Sequence, residues 1–494
     1  MKIKKLLIIM LFFSYEIALA QSHEEALFFS TQNYIGTARS SAMGNAFGAL
    51  GADMTSIHIN PAGLGLFRTF NMSFTLGLGM NEISTYYMGN KYVDKSGNFN
   101  LNSLGISSVG KKDIENDWRR INYSFSYNRT KRIKNSYQIM GFNNSSSMID
   151  VFNDLAQGQL ISELNQFYEG AAFWVDLIDQ NTDDEGDWLD NGQFFQQVAS
   201  GQKQRFLSSN FGSMGEFQVS FASSYKDNLY LGGSISVPHI DYSSETFYLE
   251  NNFTDTSSSV QSFSMLNSLY TSGLGVNFKI GGIYRVNDNL RIGLSWHSPS
   301  FFNMQDEWEM RMNADHSIND STYSYSYNSD YGIYNYKLVT PMKLISSAAF
   351  ILNKKIIFSG DLEWIDYSSM NLKGSDVDYF NSQNNFINQR YRSTYNSKLG
   401  IEINLLPILL RAGYSRFGNP IVNDMLDNED DNNFNDSQLW SFGFGVRNNY
   451  SYIDFAYVYS ENQENKWLYN RNYVSPAKIV NSDHNIVVTL GWKF

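Results

Sequence analysis

Residues 71–80 read Asn-Met-Ser-Phe-Thr-Leu-Gly-Leu-Gly-Met, with an apolar side chain at every second position. A period of two places Met72, Phe74 and Leu76 on one face of a β-strand and their small or polar neighbours on the other. Further segments alternate in the same way, for example Trp440-Ser441-Phe442-Gly443-Phe444. The pattern predicts a large sheet with one apolar face.

The alternation predicts strands near 70–80, 118–128, 136–143, 215–226, 229–237, 272–286, 290–298, 340–352, 356–366, 395–405, 408–417, 438–448, 451–460 and 482–494. The connections at 129–135, 227–228, 287–289, 353–355, 406–407 and 449–450 are short, and those at 81–117, 144–214, 238–271, 299–339, 367–394, 418–437 and 461–481 are long. Short turns at one end and long loops at the other are typical of outer-membrane barrels, with the turns in the periplasm. The predicted fold is all-β, a 14-stranded antiparallel transmembrane β-barrel.

The N-terminus resembles a secretory signal peptide, predicted to span residues 1–20. It has three lysines at positions 2, 4 and 5, an apolar run Leu6–Phe13 and a small-residue cleavage site Ala18-Leu19-Ala20. Cleavage there makes Gln21 the first mature residue. No later stretch is apolar for the ~18 residues of a spanning helix, but a closed barrel also spans a membrane. We therefore expect the bacterial outer membrane as the location.

Composition agrees with a membrane barrel better than with a soluble β-sandwich or propeller, which would also alternate. The chain has 36 Phe, 32 Tyr and 9 Trp, and aromatic rings favour the two membrane–water interfaces. It has no Cys, so disulfides, thiolate metal sites and Cys nucleophiles are excluded. The net charge of −12 argues against nucleic acid as a partner.

Residues 21–69 do not alternate, are rich in Gly, Ala and Ser, and contain the motif Asn60-Pro61-Ala62. A barrel of 14 strands is wider than the eight-stranded kind that fills its own interior, so its lumen needs a plug. We predict that residues 21–69 form this N-terminal hatch inside the barrel of residues 70–494. A disordered leader is the alternative, and the apolar residues of the segment disfavour it.

Several motifs resemble the FadL/OmpP1/TodX family. They are Ala38-Arg39-Ser40-Ser41-Ala42-Met43-Gly44-Asn45-Ala46-Phe47, Ile59-Asn60-Pro61-Ala62-Gly63-Leu64, Leu294-Ser295-Trp296-His297-Ser298-Pro299, Thr340-Pro341-Met342-Lys343, Leu362-Glu363-Trp364-Ile365-Asp366-Tyr367-Ser368 and the terminal Trp492-Lys493-Phe494. The resemblance implies a channel for hydrophobic compounds, typically long-chain fatty acids or aromatic hydrocarbons. It also implies an opening in the wall at the third strand, and a last strand ending in Phe494 that the barrel assembly machinery reads.

The substrate-binding candidates lie in the predicted extracellular loop 144–214. Within it Phe152, Leu155, Leu160, Leu164 and Phe167 recur at helical spacing, and Trp174 follows. The resemblance implies that such loop helices build the first binding groove. The stripe could equally pack the helix against the barrel rim, since an amphipathic helix must bury its apolar face. Both interpretations stay open here.

Charged residues fall on the inward phase of many strands. They are Arg120, Glu216, Lys279, Arg285, Arg291, His297, Asp361, Glu363, Lys398, Glu402, Arg411 and Asp454. We interpret them as mutual ion pairs and hatch contacts; a sharper hypothesis gives one Arg or Lys the carboxylate of a fatty acid. They argue against a straight apolar tunnel and favour a route along the hatch or sideways through the wall.

The sequence predicts no catalytic residue, metal site or cofactor. No His-x-Ser pair, which would suit a phospholipase barrel, occurs in the chain. The acidic runs 176–190 and 424–436 lack the spacing of a calcium loop, and no two histidines have metal-ligand spacing. We interpret the acidic runs as solvated loop surface, bridged to lipopolysaccharide by divalent cations.

We therefore predict a channel that captures a hydrophobic ligand in its loops and releases it past a moving hatch. Its other expected partners are outer-membrane lipid, lipopolysaccharide and the assembly machinery that reads Phe494. The alternative is a barrel adaptor of a secretion system of the PorV type, which needs no apolar path.

Overall fold

The computed structural model describes residues 21–32, 36–110, 117–196, 201–255, 258–422 and 437–494, so the signal segment 1–20 and the acidic run 424–436 lie outside the described residues. The strands are β1 (Asn71–Tyr87), β2 (Asn90–Val109), β3 (Trp118–Asn143), β4 (Ile178–Gln180), β5 (Phe194–Gln196), β6 (Gln202–Tyr225), β7 (Leu229–Asn251), β8 (Val260–Arg285), β9 (Leu290–His297), β10 (Phe301–Ile318), β11 (Ser321–Asn328), β12 (Gly332–Val339), β13 (Lys343–Leu352), β14 (Ile356–Asp366), β15 (Asn371–Lys373), β16 (Ser393–Leu405), β17 (Ile408–Phe417), β18 (Ser437–Arg447), β19 (Ser451–Lys466) and β20 (Ala477–Lys493).

All strands except the small β4–β5 pair form one antiparallel sheet that closes where β1 pairs with β20 along its length. Three wall strands are interrupted: β9 continues into β10 past Pro299, β11 and β12 into β13 past Pro341, and β14 into β15. Proline has no N–H to give to the ladder, so the breaks at Pro299 and Pro341 follow from the sequence. Joined in this way, the segments make a closed barrel of 14 strands, as predicted.

Across the described residues, none of the helices is long and apolar enough to cross a membrane.

The two faces of the wall differ as the alternation predicted. On β1, Met72, Leu78 and Met80 are exposed on the outer face, whereas Ser73 and Thr75 are buried on the inner face. Turns of two to four residues join most strands at the end where the chain terminates, which we name the turn end. The opposite end carries the larger connections and is named the loop end.

The predicted strand borders were wrong in the first quarter of the barrel. Residues 90–109 form a wall strand, not a loop, and residues 118–143 form one strand, not two joined by a turn at 129–135. The ladder between β3 and β6 shifts register between Arg129 and Lys131, which marks a β-bulge. The extra residue at the bulge reverses the alternation. Even-numbered residues such as Ser126 and Asn128 face inward before the bulge, and odd-numbered residues such as Tyr137 and Ile139 face inward after it.

The loops also differ from the prediction. The predicted loop 144–214 ends at residue 201, because β6 begins at Gln202. At the loop end, the chain turns within two residues between β1 and β2 and between β10 and β11, where Met88, Asn319 and Asp320 have positive φ. Such turns suit tight hairpins, so extended strands stand where long loops were expected.

The N-terminal segment lies in the lumen as short helices. They are α1 (His23–Ser30), α2 (Ala38–Ala42), α3 (Met54–Ile59) and a 3₁₀ helix (Pro61–Leu66). Side chains of Thr37, Asp53 and Asn60 accept from main-chain N–H groups at the starts of the last three, which satisfies donors that helix ends leave unpaired. Residues 36–65 are buried almost throughout, so this segment fills the lumen toward the turn end.

The loop end is covered by α4 (Met148–Ala156), a 3₁₀ turn (Ile161–Glu163), α5 (Glu169–Trp174), the β4–β5 pair and α6 (Val377–Arg390). The stripe 152–167 was predicted as one helix and is not continuous. It breaks at Gly158, whose φ of 80° is incompatible with a right-handed helix. We name the loop residues 144–196 the cap.

Candidate functional site

Glycines on the inner face of the wall allow the hatch to approach the barrel backbone. A Cβ on Gly281 would lie 2.1 Å from Oδ1 of Asn60, and one on Gly232 would lie 2.5 Å from the carbonyl carbon of Pro61. Comparable overlaps would occur at Gly293 with Gly48, at Gly400 with Met43 and at Gly413 with Gly44. The hatch therefore rests directly on strand backbones, and larger inward side chains would exclude it.

The predicted motif Asn60-Pro61-Ala62 is the point where the hatch folds onto β7 and β8. The side-chain amide of Asn60 donates to the main-chain oxygens of Gly48 at 2.8 Å and Gly282 at 3.2 Å. Its side-chain oxygen accepts from the N–H of Ala62 at 3.1 Å. One buried side chain thus connects two parts of the hatch with the wall, which explains the motif structurally without giving it a ligand contact.

A network of buried charges joins the hatch to the wall near the turn end. Arg39 of α2 makes a bidentate pair with Glu402, with both distances 2.8 Å. Arg411 binds Glu402 at 2.7 Å and Asp454 at 2.7 Å, and Arg447 reaches Asp454 at 3.1 Å. Removing one member of such a network leaves an uncompensated buried charge, so the network links α2 to four neighbouring strands, β16 to β19.

Other inward charges also contact the hatch or one another, as the sequence suggested. Asp361 accepts from the N–H groups of Phe47 and Gly48, both at 3.0 Å, and Arg291 donates to the carbonyl of Leu50 at 3.0 Å. The remaining pairs are Glu216 with Lys279 and His58, Glu363 with Lys398, His297 with the carbonyl of Ile59, Arg120 with Asp227 and Arg285 with Asp288.

The wall has a gap between β2 and β3, which we name the window. The two strands pair only from Ser103–Asn128 down to Val109–Asn122. Above that, β2 follows β1 and β3 follows β6, so two strand edges face each other without a ladder. Contact resumes near the loop end, where Asp94 of β2 accepts from the N–H of Gln138 at 3.0 Å and Thr85 of β1 donates to the carbonyl of Gln138 at 2.6 Å.

Basic side chains of β3 span the window. Arg129 donates to the carbonyl of Leu101 at 3.0 Å, and Lys134 donates to the carbonyl of Gly97 at 2.8 Å. Arg132 pairs with Asp483 at 3.2 Å. These residues were placed in a short turn by the sequence prediction; the run of cations within an alternating segment was the signal that could have located them.

Lys131, at the bulge beside the window, contacts the C-terminal end of α1. Its Nζ donates to the carbonyl of Phe28 at 2.6 Å and to Oγ1 of Thr31 at 3.0 Å, and lies 3.6 Å from the centroid of the Phe28 ring. Phe29 and Tyr242 extend the aromatic surface around this ring. In the described part of the chain no carboxylate pairs with Lys131.

The predicted substrate-binding residues do not converge on one groove. Phe152 is fully buried in the apolar core of the cap, with its ring centroid 4.7 Å from that of Tyr168, so it packs the cap. Leu155, Leu164 and Phe167 are partly buried against the same core. Leu160 is 43% exposed and Trp174 is 52% exposed.

Trp174 belongs to an exposed aromatic group on the cap. Its ring centroid lies 5.4 Å from that of Phe173 and 6.1 Å from that of Trp188. Glu250 of β7 accepts from the N–H of Met148 at 3.0 Å and fixes the start of α4 beneath this group. Phe152 therefore packs inside the cap, and an apolar surface remains exposed around Trp174.

The histidines have structural contacts. The reversed spacing, Ser-x-His, does occur at Ser56–His58, Ser295–His297 and Ser482–His484. However, His58 contacts Glu216 and Ser126, His297 contacts a hatch carbonyl, and His484 Nδ1 lies 2.7 Å from the hydroxyl of Tyr457. Among the described residues no group of three His, Asp or Glu side chains has the geometry of a metal site. A shallow concavity of about 290 Å³ lies at the turn end between Tyr452 and Trp492, far along the wall from the cap.

Comparisons with known proteins agree with this architecture. The family model for outer membrane protein transport proteins (OMPP1/FadL/TodX) matches residues 201–488. A FadL homologue of Pseudomonas aeruginosa superimposes with a TM-score of 0.58 at 12% identity, over 94% of this chain and 100% of that one. The toluene transporter TodX of Pseudomonas putida superimposes with a TM-score of 0.52 at 13% identity, with the same coverage. No curated protein sequence matches the chain.

Proposed function

Because the chain belongs to the outer membrane protein transport protein (OMPP1/FadL/TodX) family, we propose that this outer-membrane barrel takes up long-chain fatty acids. Uptake of hydrophobic molecules across the outer membrane follows from the family. The observation that carries the rest is the position of Lys131, between the hatch helix α1 and the window in the wall.

Capture begins on the cap. Lipopolysaccharide is a polar barrier, so an apolar solute needs an apolar surface that removes it from water. The exposed rings of Trp174 and Trp188, with Leu160 and Phe167 nearby on the same loop, offer such a surface at the loop end. Four of the predicted residues stay candidates for ligand contact: Leu160, Leu164, Phe167 and Trp174. Phe152 and Leu155 support them from beneath.

A fatty acid brings the carboxylate that Lys131 lacks. Among the described residues, the ammonium group binds only a main-chain carbonyl, a hydroxyl and a ring face, and a charge-assisted bond to a carboxylate is stronger than these contacts. Binding would draw Lys131 away from the last turn of α1, and so would loosen the hatch helix when ligand arrives. An aromatic hydrocarbon has no group that could do this.

Exit through the window is favoured over exit at the turn end. The turn end is filled by the hatch, the glycine contacts and the charge network around Arg411. To open the window, the side chains of Arg129, Arg132 and Lys134 have to move, but no strand ladder has to break. The ligand would leave through the window into the outer leaflet. The hatch would then move less than it must to open a path through the turn end.

Uptake of labelled fatty acid by the reconstituted protein tests the proposal. We expect binding and passage in the wild type, and at least several-fold slower uptake in Phe167→Asp and Trp174→Asp. Tyr331→Asp, at an exposed aromatic in the break between β11 and β12, is the matched control. A wild type that neither binds nor passes fatty acid would overturn the proposal and favour the adaptor alternative.

A further inference from the structure

Gln21, the first residue after the predicted cleavage site, is enclosed between α1 and β10. It is 4% exposed. Its main-chain nitrogen donates to Oε2 of Glu25 at 2.7 Å, and its side-chain amide donates to Oδ2 of Asp306 at 2.8 Å. Both nitrogen atoms of this residue therefore donate to carboxylates.

The two carboxylates have no cation beside them in the described part of the chain. Glu25 and Asp306 interact electrostatically or by hydrogen bonds with each other and with Gln21, Ser22, Glu24, Thr271 and Tyr336. On the neighbouring helix α6, Arg390 contacts His23, and the hydroxyl of Tyr379 donates to the carbonyl of Gln21 at 3.4 Å. Burial and the charge of Asp306 raise the pKa of Glu25 well above its usual range. Such a pair is stable only with a proton or a cation.

The backbone of Gln21 is strained when a residue precedes it. Its φ is 121°, in the region that residues with a Cβ rarely adopt because of clashes with neighbouring backbone atoms. The angle φ is defined by the carbonyl carbon of the preceding residue. A chain that begins at Gln21 has no such atom, so the strain disappears.

We propose that cleavage between Ala20 and Gln21 creates the cation that this carboxylate pair lacks. Water adds across the peptide bond, its oxygen goes to the new carboxylate of Ala20, and Gln21 keeps the nitrogen as an α-ammonium. The α-ammonium forms a buried ion pair with Glu25, while the side chain of Gln21 stays on Asp306.

The consequence is that docking of α1 in the lumen depends on processing. The precursor presents a neutral amide and a strained backbone to the two carboxylates, whereas the mature chain presents a charge. Helix α1 therefore reaches its final position, with Phe29 packed against the wall, only after the signal peptide is removed. This inference rests on the predicted cleavage site and not on the transported ligand.

Acylation of the α-amine of the mature protein at pH 7 tests the inference, with mass spectrometry to identify the N-terminal residue. An unpaired α-amine has a pKa near 8, and a rise of one unit lowers the reactive neutral fraction about tenfold. We expect about tenfold slower acylation in the wild type than in Glu25→Gln, with the exposed neighbour Glu24→Gln as the control that reacts like the wild type.

A second variant separates the ion pair from a general fold defect. Two alanines inserted between Ala20 and Gln21 move the amine away from Glu25, and we expect fast acylation together with lost hydrogen-exchange protection in α1. Equal acylation rates in the wild type and Glu25→Gln would overturn the inference. So would a mature N-terminus other than a free Gln21, including a cyclised pyroglutamate. Each readout is independent of fatty acid binding.

Discussion

Gly281 of β8 lies directly opposite Asn60 of the hatch, and a Cβ built on this glycine would be 2.1 Å from the side-chain oxygen of Asn60. The amide of Asn60 also reaches the carbonyl of the next residue on the strand, Gly282. The position of the hatch motif therefore depends on single residues of the wall, here a glycine without a Cβ opposite Asn60.

Gly281→Ala is expected to displace Asn60 and to destabilise the docked hatch by about 1–3 kcal/mol, the usual cost of overpacking. The measurement is hydrogen-exchange protection of residues 38–66. Gly282→Ala is the matched control, because a Cβ there would be 3.4 Å from Leu231 and no closer to any other atom. Equal protection in the two variants would show that Asn60 does not need this glycine.

The pair Arg39–Glu402 is expected to couple the hatch to the wall energetically. A double-mutant cycle with Arg39→Met and Glu402→Gln, measured by denaturant unfolding in micelles, should give a coupling free energy of about 1–3 kcal/mol. The exposed pair Arg285–Asp288 provides the comparison and should give less than about 1 kcal/mol. A cycle near zero for Arg39–Glu402 would contradict the role given to the network.

The alternation of the sequence predicted the wall and its number of strands, but the count was right partly through two errors that cancelled. The bulge between Arg129 and Lys131 reverses the phase of β3, so one strand was interpreted as two. The upper part of β2, residues 90–100, carries polar side chains on both faces with few apolar residues among them, so its pattern gave no clear alternation.

The hatch was predictable as a unit and its contacts were not. Asn60-Pro61-Ala62 is visible in the sequence, whereas the partners Gly232 and Gly281 are ordinary glycines until the barrel brings them beneath it. A surplus of small residues on the inward phase was the available signal. The cap was harder still, because helical spacing cannot distinguish Phe152, which is buried, from Trp174, which is exposed.

Lys131→Gln is expected to weaken binding of a long-chain fatty acid about tenfold and to leave binding of the alcohol of equal length unchanged. The reason is that only the acid gains the charge-assisted contact. Lys134→Gln, on the same strand but bonded to Gly97, is the control. Fluorescence displacement measures both ligands. Equal effects on acid and alcohol would point to neutral hydrophobic ligands instead.

The docking of α1 is expected to weaken as the pH falls from 6.5 to 4. Burial and, to a smaller extent, the charge of Arg390 lower the pKa of His23 to about 4. An undocked His titrates near 6.5, so between these values the undocked state binds more protons and acid favours it. Hydrogen exchange of α1 at pH 7 and pH 5 should show lost protection in the wild type and a smaller loss in His23→Gln. An equal loss in both would assign the effect to other groups.

Chemical closure of the window tests whether the ligand leaves sideways through the wall. The chain has no cysteine, so Gly97→Cys with Lys134→Cys can be joined by a short thiol-reactive linker across the gap. The control joins Ile106→Cys with Phe125→Cys, where the ladder between β2 and β3 is already closed. Uptake of labelled fatty acid into proteoliposomes should fall at least tenfold in the first linked protein and recover when the linker is cleaved, while the control keeps wild-type uptake. Unchanged uptake with the window linked would contradict lateral release through the wall.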